Sequence, residues 1–229
     1  MKNVTVLLTK SLADELLKSV DVTGVQWIQH SFIAFEYNVV SVFQKQIEVI
    51  NAPFVFTSQN AVMGFEKNAV LCDEKKFCFC LNGATQQALE KRGWKILAVA
   101  KSSDELADVI IQSNVGEVIF CCGNIRMNTI PERLKQLSIK LHEFVVYETV
   151  FTPQRIEQHF DVIVFFSPSG VESFFSSNTL KNDVVAFCIG EATAKALKQF
   201  WKGSVFTSKI PSVENLLRQV VVYSLNLAL

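Results

Sequence analysis

The sequence predicts an α/β chain of two similar parallel-sheet lobes, the first of them discontinuous, joined by a two-stranded linker. Three observations predict it. Short apolar, β-branched runs alternate with stretches of helical periodicity, which is the pattern of parallel sheets covered by helices. The run Val162-Ile163-Val164-Phe165-Phe166 is apolar without a break, as strands buried on both faces are. The chain also repeats itself in three ordered blocks, at offsets of 108 to 110 residues.

The chain opens on a strand near 3–8. Its apolar stretch from Val4 to Leu8 is too short for the core of a secretory signal and ends at Thr9 and Lys10, so a cytoplasmic protein is expected. A helix near 11–19 and a strand near 25–28 follow, then an extended segment over 33–40 and a helix near 40–50. A strand near 54–57 runs straight into a helix near 58–69, with Thr57 and Ser58 at the join. Next come strand 77–81, helix 84–93, strand 96–99, helix 103–113, strand 117–121 and helix 129–138. A second long extended stretch covers 141–150, and helical spacing predicts a short helix over 155–159. Strand 162–166, helix 168–177, strand 184–189, helix 191–201, strand 204–207 and helix 212–222 complete the order. The apolar residues 220–229 read either as a packed helix end or as a surface for self-association.

The repeat locates the lobes. Phe56-Thr57-Ser58-Gln59-Asn60-Ala61-Val62 resembles Phe165-Phe166-Ser167-Pro168-Ser169-Gly170-Val171 at an offset of 109. Leu81-Asn82-Gly83-Ala84-Thr85 resembles Ile189-Gly190-Glu191-Ala192-Thr193 at 108, and Ser102, Leu106 and Ile110 match Ser212, Leu216 and Val220 at 110. The period is far too long for a solenoid. If the two extended segments run side by side, one lobe is 41–145, inserted into another made of 1–31 and 152–229. Segments 32–40 and 146–151 then form the linker, a tether that permits hinge motion.

Composition removes several classes. With 49% hydrophobic residues the chain can build a core, and 22 basic residues balance 22 acidic ones. A neutral chain has no general electrostatic attraction to nucleic acid or to anionic membranes, and no run approaches the length of a membrane span. Cys72, Cys78, Cys80, Cys121, Cys122 and Cys188 include no C-x-x-C pair and are expected as buried apolar thiols. His30, His142 and His159 are scattered, so no metal site is expected.

Candidate chemistry lies at four strand-to-helix junctions: 57–60, 82–85, 167–170 and 190–193. Hydroxyls at Ser58 and Ser167 suit helix caps, and Pro168 suits the first helical position. Capping alone accounts for either motif taken singly. Together the junctions sit at the carboxyl ends of parallel strands, where ligands bind and where free helix amides attract anions. Two such sets facing one another would make a cleft for a ligand with several carboxylates or phosphates. Gly83 and Gly190 can supply positive φ or close backbone approach. Nucleotide-binding glycine patterns are absent, and Ser167-Pro168-Ser169-Gly170 is not a hydrolase elbow. Cys122-Gly123-Asn124-Ile125-Arg126 is a further polar loop, and Arg126 can pair with a carboxylate or remain solvated. Tyr147 in the linker is either an ordinary strand tyrosine or a proton donor beside the cleft.

Taken in order, these segments, with Val146-Tyr147-Glu148-Thr149 and Ile189-Gly190-Glu191-Ala192-Thr193-Ala194-Lys195-Ala196-Leu197, resemble the uroporphyrinogen-III synthase family over nearly the whole chain. The resemblance implies an enzyme without a cofactor. It would cyclise hydroxymethylbilane, a linear tetrapyrrole with eight carboxylates, and invert ring D through a spiro intermediate. It implies that Tyr147 assists loss of the ring A hydroxyl. Thr57, Ser58, Asn60, Gly83, Thr85, Asn124, Arg126, Ser167, Ser169, Gly170, Gly190 and Thr193 are then the expected substrate-binding positions. Asn82 stands where the family usually has glycine, and Asn60 where a basic residue is common. The resemblance further implies a monomer, with a transient hand-over from hydroxymethylbilane synthase. The alternative is a binding or sensor module of the same fold that performs no catalysis.

Overall fold

A computed structural model of the chain describes residues 3–20, 23–37, 47, 50–68, 77–210 and 212–227. In chain order the described elements are β1 (Val4–Leu8), α1 (Asp14–Val20), β2 (Val25–Gln29), β3 (Ile33–Glu36), β4 (Phe54–Phe56), α2 (Gln59–Asn68), β5 (Phe77–Leu81), α3 (Ala84–Glu90), β6 (Lys95–Ala100) and α4 (Ser103–Gln112). They continue with β7 (Glu117–Gly123), α5 (Thr129–Gln136), β8 (Lys140–Phe151), β9 (Val162–Phe165), α6 (Pro168–Phe175), β10 (Val185–Cys188), α7 (Glu191–Phe200), β11 (Ser204–Thr207) and α8 (Val213–Leu227). They form two compact units: 1–34 with 150–229, and 35–149.

The discontinuous unit carries a five-stranded sheet in the order β11-β10-β9-β1-β2, with every pairing parallel. Alternate side chains point to opposite faces, and helices cover both. On one face Val4, Val6, Leu8, Val162, Val164 and Phe187 pack against Leu17 of α1 and Leu216, Leu217 and Val220 of α8. On the other, Leu7, Ile163, Phe165, Ala186 and Cys188 pack against Val171 and Phe174 of α6 and Leu197 of α7. The unbroken apolar run at 162–165 is thus explained, since each of its residues is fully buried.

The continuous unit carries a six-stranded sheet, β3-β8-β7-β4-β5-β6. The pairings of β4 with β5 and β7, of β5 with β6, and of β7 with β8 are parallel. One face holds an aromatic cluster in which Phe54, Phe56, Phe65 and Trp94 meet edge-on at 5.1–5.5 Å. Burying each such ring contributes roughly 1.5–3 kcal/mol. The other face packs Val55, Phe79, Phe120 and Cys122 against Leu106 and Ile110 of α4 and Leu134 of α5.

The internal repeat has a structural counterpart. Strand for strand, β6-β5-β4-β7-β8 reproduces β11-β10-β9-β1-β2, and β3 is added at the edge. The third repeated block proves to be a pair of helix caps. Ser102 Oγ accepts from Glu105 N at 3.2 Å, and Ser212 Oγ accepts from Asn215 N at 3.3 Å.

The structure departs from the sequence expectations in several places. Residues 155–159 form no helix. Their backbone is held instead by a distant side chain, since Asn178 donates to Gln154 O at 2.8 Å and accepts from Ile156 N at 2.8 Å. The last helix runs on to Leu227, five residues past the predicted end, and buries Val220, Val221 and Ser224. Helices α3 and α6 are shorter than predicted. The predicted helix 40–50 lies mostly outside the described residues, as do Cys72 and the end of the extended segment 33–40. The other five cysteines are buried free thiols.

Candidate active site

Within the continuous unit, the turn from β4 to α2 organises the site. The strand ends at Phe56, and Ser58 Oγ caps α2 by accepting from Ala61 N at 3.1 Å. The same oxygen lies 3.3 Å from the Tyr147 hydroxyl. Tyr147 comes from β8 and is only 8% exposed. Burial pushes its phenol above the ordinary value, the bond to Ser58 lowers it in part, and the Cys122 thiol adds to the rise. The shift leaves the phenol protonated at neutral pH, as an ordinary tyrosine is, so its place beside Ser58 and not its acidity marks it as a candidate donor.

A second phenol stands beside it. Tyr37 donates to Asn60 Oδ1 at 3.4 Å, and its ring centre is 6.4 Å from that of Tyr147. Its pKa is also raised, first by burial and then by Tyr147. Lys67 Nζ sits 4.3 Å from the Tyr37 ring centre, a cation–π contact. Phe35 meets Tyr147 edge-on at 5.9 Å. Sequence reasoning missed Phe35 and Tyr37. The available signal was two aromatics, two residues apart, in the extended segment expected beside Tyr147.

The structure thus brings Ser58, Asn60 and Tyr147 together, with Thr57 half-buried in the same turn. Asn124 follows β7 and is spent within the fold: its Oδ1 accepts from Thr149 N at 2.8 Å and Ile125 N at 2.9 Å. Arg126 is also engaged. Its guanidinium meets both Glu143 oxygens, at 2.7 and 2.5 Å, and also bonds Asn128. The pairing with Glu143 holds it protonated. Gly83 caps α3 with φ of +78°, a conformation that favours glycine. Thr85 is buried in the first turn of α3.

The discontinuous unit repeats the pattern. Ser167 Oγ accepts from Gly170 N at 3.0 Å and lies 3.1 Å from Ser169 Oγ, with Pro168 opening α6. A side chain at Gly170 would press on Ser167 Oγ at 3.2 Å, so this glycine serves the cap. Thr193 is buried in the first turn of α7, at the position equivalent to Thr85. At Gly190 one of the two uses expected of the glycine, a positive φ, is not seen. Its φ of −172° is extended backbone open to any residue, and a Cβ there would meet nothing within 4 Å. The turn before α7 continues the strand direction and needs no left-handed residue. Among the described residues no group of three or more His, Cys, Asp or Glu is placed to hold a metal ion. No helix among them is long and apolar enough to cross a membrane.

Comparison with known proteins decides the family. The family model described as uroporphyrinogen-III synthase HemD matches residues 14–218. The chain belongs to the uroporphyrinogen-III synthase family. The resemblance read from the sequence is therefore borne out. The uroporphyrinogen-III synthase of Chlorobaculum parvum is 30% identical over 171 residues, covering 65% of this chain and 70% of that protein. The uroporphyrinogen-III synthase of Saccharomyces cerevisiae is 24% identical, covering 97% of this chain and 94% of the relative. Among solved structures, uroporphyrinogen-III synthetase of Helicobacter pylori superposes with a TM-score of 0.71 at 18% identity, covering 97% of this chain and 100% of that one. The α/β fold with parallel sheets is thus shared with members of the family.

Proposed function

We propose that this chain cyclises hydroxymethylbilane to uroporphyrinogen III in tetrapyrrole biosynthesis. The observation that carries the mechanism is the buried Tyr147 hydroxyl, held 3.3 Å from Ser58 Oγ. In the proposed reaction that phenol donates its proton to the departing ring A hydroxyl. Water leaves, and ring A becomes an azafulvenium cation. The substituted carbon of ring D attacks the exposed methylene to give a spiro intermediate. The intermediate fragments and recloses with ring D inverted. Loss of a ring proton then restores the aromatic pyrrole and returns the borrowed proton. The net change is loss of one water.

The substrate also closes unaided to the uninverted isomer, so the protein's share is positional: it makes one closure win. We assign the carboxylate arms to helix starts and hydroxyls in both units. In the continuous unit these are Thr57, Ser58, Asn60, Gly83 and Thr85, and in the discontinuous unit Ser167, Ser169, Gly170, Gly190 and Thr193. Free amides and the positive end of the helix dipole support this assignment. Asn124 is proposed to act through the backbone it braces beside Tyr147, and Arg126 as a carboxylate ligand that must first leave Glu143. Segments 32–40 and 146–151 are proposed as the linker; the two unit boundaries, 34/35 and 149/150, fall inside β3 and β8, which are neighbours in one sheet. The proposed state is a cytoplasmic monomer without a cofactor, supplied by hydroxymethylbilane synthase.

The test couples the protein to hydroxymethylbilane synthase, oxidises the products and resolves the isomers by chromatography. Isomer III should dominate. Product no richer in isomer III than the uncatalysed control would reject catalysis and leave a binding module.

A further inference from the structure

Tyr147 reaches Ser58 only because β8 is irregular. From Glu117 with Lys140 to Cys122 with Val145, strands β7 and β8 pair one to one. Then the register shifts by one residue, and Gly123 pairs with Tyr147 rather than with Val146. Side chains alternate along a regular strand. Val145 is 46% exposed and Val146 is 2% exposed, so an unbroken β8 would turn Tyr147 back to the side of Val145. Instead Val146 and Tyr147 both enter the core beneath α2, with Phe56, Ala61 and Phe65. One extra residue in a strand re-aims the side chain that follows it.

Two glycines admit this irregularity. A Cβ at Gly123 would lie 2.5 Å from Tyr147 Cζ and 2.8 Å from its hydroxyl oxygen. The phenol therefore lies across backbone that carries no side chain. Phe35 and Tyr37 flank the ring, so it cannot swing aside without disturbing them. On α2, a Cβ at Gly64 would lie 2.4 Å from the carbonyl oxygen of Val146. The helix can approach the bulged peptide because that position, too, is bare.

We propose that the bulge at Val146, with Gly123 and Gly64 as the gaps that admit it, is the device that aims the Tyr147 hydroxyl at Ser58, and that Gly123 is a positioning residue for the reaction. The inference rests on Tyr147 as the proton donor. The three atoms nearest a Cβ at Gly123 all belong to Tyr147, so its effect on rate should pass through the Tyr147 hydroxyl, whereas its steric effect involves the whole ring.

The experiment places Gly123→Ala in the parent and in Tyr147→Phe, and measures kcat, KM and the thermal midpoint. In the parent, kcat should fall about ten- to a hundred-fold with KM little changed, since misplacement by about 1 Å costs on that order. In Tyr147→Phe the same substitution should leave kcat unchanged, yet lower the thermal midpoint in both backgrounds, because a phenyl ring meets the new methyl as a phenol does. Parental kcat in Gly123→Ala, or an equal fold-loss in both backgrounds, would overturn the proposal. If Tyr147→Phe alone turns over normally, the donor assignment fails, and geometry is read separately by tyrosinate absorbance. Gly123→Ala should then move one late-titrating phenol to lower pH, and an unchanged titration would refute the positioning. Should Gly123→Ala fold poorly, Gly123→Ala with Tyr147→Leu supplies the room and should regain the midpoint. Failure to regain it would show that the clash is not with that ring.

Discussion

Replacing Ser58 by alanine tests whether one oxygen both starts a helix and holds the reactive phenol. Ser58 Oγ accepts from Ala61 N at 3.1 Å and contacts the Tyr147 hydroxyl at 3.3 Å. Loss of the cap costs about 1 kcal/mol. The buried phenol then loses a partner, which adds about 1 kcal/mol, at the low end because the contact is long. Ser58→Ala should therefore cost about 2 kcal/mol. Tyr147→Phe alone should cost about 0.5–1 kcal/mol, because Ser58 keeps its amide partner. In the Ser58→Ala background Tyr147→Phe removes an orphaned hydroxyl and should cost nothing or restore up to about 0.5 kcal/mol. Urea unfolding followed by circular dichroism measures all four corners of this cycle. Equal destabilisation by Tyr147→Phe in both backgrounds would refute the shared role of Ser58.

Three further outcomes are expected. Burial raises the Tyr147 phenol above its ordinary value of 10.0; its contribution to stability is fully present below about pH 10, where the unfolded phenol is still protonated, and is lost as pH rises through the folded value. The parent should therefore lose stability more steeply above pH 10 than Tyr147→Phe does, as thermal midpoints across an alkaline series will show. Gly83→Ala should cost about 1–3 kcal/mol because φ is +78°, whereas Gly190→Ala should leave the urea midpoint within error, its φ being extended and its surroundings open. The thiols of Cys78 and Cys188 are pushed up to about 12, and those of Cys80 and Cys122 to about 11, chiefly by burial. A Cys72→Ser variant should accordingly show no reaction with Ellman's reagent at pH 8 until it is unfolded.

Sheets and helices were legible because their signals are local and periodic. Val162 to Phe165 is apolar because both faces are covered, and the paired Ser102 and Ser212 marked equivalent helix starts. The site was legible where it depends on a strand end and a cap, as at Ser58 and Ser167. It was illegible where the deciding interaction is long-range. Nothing local to 155–159 announces that Asn178 will take up its backbone groups. Arg126 looked available because Glu143 lies seventeen residues away on another strand. The register shift after Cys122 leaves no mark in composition, so the sequence named Tyr147 without showing why it faces Ser58. Tyr37 escaped for the same reason, since its value lies in the neighbour it gains across the fold.

The division of the chain bears on how it is made. Residues 35–149 form one unit without interruption, whereas strand β1 of the other unit needs β9 on its flank and must wait until residues beyond Val150 leave the ribosome. For that interval Val6, Leu7 and Leu8 have only β2 beside them, and an apolar strand edge faces the cell. Folding during synthesis should thus proceed from the middle outward. Slowing translation after residue 149 would lengthen the exposure of that edge and favour capture by chaperones.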